Sequence, residues 1–402
     1  MKKLALAIAV LALFTSPALA SDSAKEPIRI GEISEFNLFK VYADNQHNAF
    51  ELAVDDLNAN GGVLGHPLKL ITRQGGSGTP EEVLRDVEDL VHRENVKLLI
   101  GTGPDHTGLA VSSYAKKNGI FYLKGANGTN KHIWQEGHDL AFRFDVSNCV
   151  YGKAFAEAAA KLPAKHWAIV APDYEFGHSV VEDFTSNLKK LRPDVTFTPI
   201  QWHPMLKIQS GPVVQVLKQQ KPDAFFIASF ASDAVQLIRD GKKIGLYKDK
   251  PVISVLQGQP ESLAPLGKEA PMGWITQGYP ADQIDAPAHK AFLAKYRAKY
   301  NAEPGWFSFV GYNAMISLAK AIETAGSTEP KDVAAAMKGM TFDSLVGPIT
   351  YRAADNQSNL GLWVGKIGMK DNKPALVDWT YESGDKFYPG NDYVKTVRPQ
   401  QK

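Results

Sequence analysis

A chain of 402 residues with 44% hydrophobic and 22% charged residues has ordinary globular composition and length for roughly two or three folded units. Its 45 basic and 43 acidic residues leave a net charge of +2, which excludes a nucleic-acid or anionic-membrane binder that works by bulk charge. The single cysteine, Cys149, excludes an internal disulfide framework and reads as a small buried side chain.

Met1-Lys2-Lys3 opens the chain, an apolar run follows from Leu4 to Phe14, and Ala18-Leu19-Ala20 comes after Pro17. A basic start, a run shorter than the ~20 residues of a membrane span, and a small-x-small ending predict a secretory signal peptide over residues 1–20. No cysteine stands at the cleavage point to take a lipid, and no later segment is apolar enough to cross a membrane. Ile28-Arg29-Ile30 then reads as a strand. Phe50, Ala53, Val54 and Leu57 share one face of a helix that stops at Asn60-Gly61-Gly62. Leu68 to Ile71 is the next strand. Thr79-Pro80-Glu81-Glu82 predicts a helix start, with Thr79 as cap, Pro80 in the first turn and Glu82 closing a capping box. Val83, Val87, Leu90 and Val91 give that helix its buried stripe. Val96 to Ile100 is a buried strand, a helix spans Leu109 to Lys117, and Ile120 to Leu123 is a further strand.

The alternation restarts after Val150. Strands are predicted at Trp167 to Ala171, Val195 to Pro199, Asp223 to Ala228 and Val252 to Leu256. Helices are predicted between them at Val180 to Leu191, Val213 to Gln220 and Ala234 to Gly241. The remainder reads as helices at Ala288 to Tyr300, Phe309 to Ala325 and Lys331 to Lys338, then strands at Gly347 to Tyr351 and Gly361 to Ile367. Strand and helix alternating at this spacing require parallel pairing, so an α/β chain with two doubly wound sheets is expected.

In such sheets ligands collect beyond the carboxyl ends of the strands. The loops that count are therefore Ser34 to Tyr42, Thr102 to Thr107, Lys124 to Asn130 and Pro172 to His178. Phe36, Phe39 and Tyr42 in the first, and Tyr174 and Phe176 in the last, put aromatic rings beside small polar groups, as in a small-molecule pocket. Asp105 can equally cap the helix that follows it, and Asn127-Gly128 can be a plain turn. His106 reads as a solvated loop residue; the ten histidines show no metal-ligand spacing. Trp306, Phe307 and Tyr312 read as packing residues of one helix. A G-x-S-x-G elbow, a phosphate-binding Gly-Lys-Ser/Thr loop and a dinucleotide fingerprint are all absent, so neither enzymatic activity nor a cofactor is expected.

Ile30-Gly31, AFELAVDDLNANGG over Ala49 to Gly62, Leu99-Ile100-Gly101 and Asp173 to Gly177 stand in order along the chain. Gly311 to Ala314, Ala321-Ile322-Glu323 and Val346 to Ile349 follow them. In these segments the chain resembles the branched-chain amino acid (Leu/Ile/Val-binding) type of periplasmic binding protein over nearly its whole mature length. The resemblance implies a type I periplasmic binding fold, two lobes joined by three hinge crossings. The lobes would be 22–145 plus 280–350 and 146–279 plus 351–402, with crossings near Phe144 to Ser147, Gln277 to Pro280 and Gly347 to Ala353. It implies a monomer in the periplasm that closes on a small-molecule ligand and passes it to an ABC permease in the inner membrane, with no metal and no nucleic acid. Presentation of the ligand to a membrane sensor is the alternative. Position by position, it implies ligand contacts at Phe39, Tyr42, Asp105, His106, Thr107, Ala126, Asn127, Gly128, Tyr174, Phe176, Phe230 and Gln257. Gln257 falls where the family has an acid for the ligand ammonium, and Asp105 where it has a serine for the ligand carboxylate. These two departures favour a partly apolar or aromatic solute over an ordinary branched-chain amino acid.

Overall fold

The computed structural model describes residues 25–126 and 128–399; the signal peptide read at residues 1–20 and the contact assigned to Asn127 lie outside them. β1 (Ile28–Ile33), β2 (Leu68–Arg73), β3 (Leu98–Gly101), β4 (Phe121–Lys124) and β5 (Ala141–Arg143) form a parallel sheet in the order β2-β1-β3-β4-β5. Between them run α1 (Lys40–Ala59), α2 (Pro80–His92) and α3 (Asp105–Asn118). α1 buries Ala43, Gln46, Ala49, Phe50 and Ala53, a stripe at helical spacing. It ends where Gly62, at φ +75°, returns its N–H to the Leu57 carbonyl at 3.0 Å, a backbone shape that glycine adopts freely. At the start of α2 Thr79 accepts from the Glu82 N–H at 3.4 Å. The expected reciprocal half of that capping box is absent, because the Glu82 carboxylate turns back to the Ser77 N–H at 2.6 Å.

The chain then enters α4 (Asn148–Ala160) and a second sheet built from β6 (His166–Pro172), β7 (Thr196–Phe197), β8 (Gln201–His203), β9 (Ala224–Ile227), β10 (Val252–Gly258) and β11 (Ile275–Gly278). Helices α5 (Glu175–Leu191), α6 (Ser210–Gln219), α7 (Ala231–Lys243) and α8 (Pro260–Leu263) connect them. One strand was expected at Val195 to Pro199; two short ones, β7 and β8, stand there instead. Pro199 separates them, and proline has no N–H for a ladder. Helices α9 (Pro287–Tyr300), α10 (Trp306–Ala325) and α11 (Pro330–Met337) follow, then a hairpin of β12 (Thr341–Ser344) and β13 (Gly347–Thr350). α10 packs along α1, and α11 against β4, which puts this segment on the first sheet. β14 (Leu362–Lys370) and β15 (Lys373–Glu382) close the second sheet as an antiparallel edge on β11, and α12 (Asn391–Val397) ends the described chain.

The segment 351–358 stays with the first sheet. Gln357 bridges Arg143, and the Asn356 amide donates to the His138 and Ala141 carbonyls. The passage to β14 therefore falls just after Ser358. Among the described residues no helix is long and apolar enough to cross a membrane. In the first sheet the strand order reverses at β1, between β2 and β3; in the second it reverses at β6, between β7 and β9. The loops leaving β1, β3, β6 and β9 therefore diverge and leave crevices, and the two crevices face each other.

Candidate functional site

The facing crevices enclose a narrow cleft of about 60 Å³, smaller than an open small-molecule pocket because its two walls lie close together. On the first-sheet side it is lined by Ser34 and Glu35 after β1, by Phe39, Tyr42 and Gln46 at the start of α1, and by Gly103 after β3. Ala126 after β4 and Phe307 at the start of α10 complete that wall. The opposite wall is Tyr174 and Phe176 after β6, Phe230 after β9, and Leu256 near the end of β10. Phe39 meets Phe230 across the gap with ring centroids 5.8 Å apart, and Phe230 stands edge-on to Phe176 at 5.8 Å. Two non-glycine residues with positive φ flank the site, Thr102 at +63° and Ala231 at +49°, in the loops that aim Gly103 and Phe230.

Glu35 dominates the electrostatics. Its carboxylate accepts from the Gly103 N–H at 2.7 Å and from the Thr107 hydroxyl at 2.8 Å. Burial pushes its pKa up from the usual carboxylate range to about 7, against those two hydrogen bonds and the nearby Lys124 charge. Each oxygen keeps a further acceptor position. Gln46 adds a buried amide nitrogen with no hydrogen-bond partner. The Tyr42 hydroxyl interacts with the Ser262 side chain and the Ala231 backbone, and burial raises its pKa, so it stays protonated.

Of the residues implied by the resemblance, Phe39, Tyr42, Ala126, Tyr174, Phe176 and Phe230 line the cleft. Asp105, His106, Thr107, Gly128 and Gln257 stand outside its lining. Asp105 does not cap α3; Pro104 precedes the helix, and the Asp105 carboxylate accepts from Lys124 Nζ and from the Thr129 N–H, both at 3.1 Å. Asp105 and Lys124 are wholly buried, and Gly108 leaves the space into which the ammonium reaches. The charge of Asp105 is thus answered inside the protein, and it carries no information about the charge of a ligand. Thr107 serves Glu35. His106 is half-buried at the start of α3 and bonds the Gly78 carbonyl at 2.9 Å, so it is not the solvated loop residue expected. Gly128 abuts Asn148, where a Cβ would come within 2.1 Å of the amide oxygen. Gln257 turns to the Ser229 carbonyl, and its neighbour Leu256 faces the cleft. Phe36 packs edge-on against His47 instead of entering the cleft. Phe307, expected as packing, lines it.

Glu35, Gln46, Phe307 and Leu256 were not anticipated. Gln46 had a readable signal: it is the polar residue on the otherwise apolar α1 stripe. Glu35 had none, because two carboxyls, Glu32 and Glu35, flank the end of β1 and only the fold separates their roles. Glu32 is buried away from the cleft against Ser34, Thr72 and His47.

Contacts between the two sides draw the cleft shut. Glu175 at the start of α5 accepts from the Thr129 hydroxyl and pairs with Lys131, both at 2.7 Å. The Asn130 amide donates to Asp183 at 2.7 Å. Glu261 on α8 accepts the Trp306 N–H at 3.1 Å, at the N-terminus of α10. Burial raises the pKa of Glu261 to about 7 as well.

Residues 35–373 match a family model described as periplasmic binding protein. The Leu/Ile/Val-binding protein of Citrobacter freundii is 24% identical over 322 residues, covering 78% of this chain and 83% of that protein. Among solved structures, a solute binding protein of an ABC transporter from Rhodopseudomonas palustris BisB5, in complex with 3,4-dihydroxybenzoic acid, superposes with a TM-score of 0.81. It shares 20% identity and covers 89% of this chain and 98% of that one. An amino acid ABC transporter substrate-binding protein from Pseudomonas fluorescens Pf-5 gives a TM-score of 0.80 at 18% identity, covering 92% and 99%.

Proposed function

Because this chain belongs to the periplasmic binding protein family, we propose that it is the substrate-binding component of an ABC importer, taking a small solute with an apolar or aromatic body into the cleft and delivering it to an inner-membrane permease. The observation that carries this reading is the cleft itself. Strand-end loops from two separate sheets converge on one space, lined by six aromatic rings and a buried carboxyl. The first lobe consists of the described residues up to 145 plus 280–358, and the second of 146–279 plus 359–399, so that 351–358, expected in the second lobe, goes to the first. Motion about the connecting passages opens and closes the gap. The site comprises Phe39, Tyr42, Ala126, Tyr174, Phe176 and Phe230, joined by Glu35, Gln46 and Phe307. Its work is capture and release, as the names of its relatives as binding proteins suggest, and its place is the periplasm.

The aromatic lining favours a solute other than a branched-chain amino acid, in line with the dihydroxybenzoate held by one structural neighbour. Two measurements test the transport reading. Small-angle scattering of the mature protein should show a smaller radius of gyration with a bound solute. Cells lacking the protein should lose high-affinity uptake of the same solute. Unchanged dimensions and unchanged uptake would refute it.

A further inference from the structure

Resting on that solute-binding reading, we propose that the cleft selects a ligand bearing a positively charged nitrogen on a flat apolar body, with Glu35 as its counter-charge and the aromatic rings as its cage. The first support is the sign of the wall. Glu35 lines the cleft, and no lysine, arginine or histidine does among the described residues. The nearest buried cation, Lys124, is bound to Asp105 beneath the wall.

The second support is that the anion-holding groups are already taken. The Gly103 N–H and the Thr107 hydroxyl, beside the N-terminus of α3, are what a ligand carboxylate would seek there. Both hold the carboxylate of Glu35 instead, at 2.7 and 2.8 Å. An incoming carboxylate would find these donors occupied and a like charge beside them. An ammonium or amidinium would find oppositely charged oxygens with free acceptor positions, already oriented.

The third support is the cage. Phe39, Tyr42, Tyr174, Phe176, Phe230 and Phe307 present ring faces and edges to the same space. A desolvated cation gains from ring faces what a neutral or anionic group does not. Gln46 Nε2, buried and unpartnered, supplies a separate donor for a hydroxyl or carbonyl oxygen elsewhere on the ligand. It fixes orientation along the slot.

Calorimetric titration of the chain lacking residues 1–20 tests this, with benzylamine and tyramine as cationic probes, benzoate and 4-hydroxybenzoate as anionic probes, and benzyl alcohol as the neutral one. At pH 8 the amines should bind at least about tenfold more tightly than the benzoates. Glu35→Gln should weaken amine binding at least about tenfold, while the unliganded variant melts no lower than the parent protein. Benzylamine stays cationic from pH 6 to pH 8, so its affinity should rise about tenfold over that interval as Glu35 gives up its proton. The titratable groups facing Glu35 are Lys124 and Tyr122 on β4. Benzoates binding more tightly than amines, or Glu35→Gln binding benzylamine unchanged, would overturn the inference and leave the solute-binding reading standing. Failure of every probe and of a broad amino-acid panel would overturn both.

Discussion

The two walls of the cleft are made alike, each from loops that leave parallel strands for helices, yet they carry different chemistry. The first-sheet wall holds the hydrogen-bonding groups: Ser34, Glu35, Gln46 and the Gly103 backbone. The second-sheet wall is Tyr174, Phe176, Phe230 and Leu256, and among the described residues no charged side chain lines the cleft from it. A solute can be caught by charge and hydrogen bonds on the first wall while the site is still wet. Closure of the second wall then expels water, and every polar contact on the first strengthens in the lower dielectric. One wall recognises and the other dehydrates. Behind the first wall the Asp105–Lys124 pair is buried as deeply as Glu35, but it is neutralised internally. Glu35 is the buried acid that lines the cleft.

The sharpest way to break this contrast is to strip the internal pair. Lys124→Met leaves the Asp105 carboxylate buried without its cation, and urea unfolding should show a loss of about 3–5 kcal/mol. A loss under about 1 kcal/mol would mean that the pair does not support the wall.

The next effect separates Glu35 from Asp105 by pH. In the folded protein Glu35 keeps its proton up to about 7, whereas the unfolded chain releases it near the ordinary carboxyl value of 4.5. The folded state therefore binds more protons between those values, and its stability falls as pH rises through that window. The contribution, fully present below pH 4.5 and gone above pH 7, is about 3 kcal/mol. Glu261 has the same raised value and adds a second fall of the same sign. Unfolding free energies at pH 5 and pH 8 should thus differ more in the parent protein than in Glu35→Gln. An equal difference in both would remove Glu35 from the account.

The dehydrating wall is tested by Phe230→Ala, which removes the ring shared by Phe39, Tyr174 and Phe176. Affinity for any cleft ligand should drop about 10- to 100-fold, mostly through faster dissociation. The smallest effect is at the rim. Glu175→Gln loosens the contacts with Thr129 and Lys131, and stopped-flow dissociation should quicken about two- to fivefold, less at high salt. Dissociation insensitive to Glu175→Gln would place these contacts outside the closing motion.

Much of the architecture was legible in the sequence because its cues are local. The Thr79-Pro80 helix start, the Asn60-Gly61-Gly62 stop and the apolar runs of β3, β6 and β9 each report on a few neighbours. β14 was read at Gly361 to Ile367, but its partner β15 escaped because much of it faces solvent and its apolar residues alternate weakly. At the site, the aromatic residues could be read from the loops that carry them. The polar chemistry could not, since it depends on which acid finds a partner: Asp105 at the start of α3 meets Lys124 at the end of the next strand, and Glu35 accepts from a backbone N–H and a hydroxyl. Gln257 and Leu256 show the same limit in another form, since a one-residue choice along a strand decides which side chain faces the cleft.

Thermal melting of the mature protein against a library of small solutes, run in parallel with Phe230→Ala, tests most directly whether a solute lodges between the two sheets. The account predicts that at least one solute raises the midpoint of the parent protein by several degrees and that the same solute leaves Phe230→Ala almost unmoved. A shift of equal size in both proteins would place binding elsewhere on the molecule and contradict it.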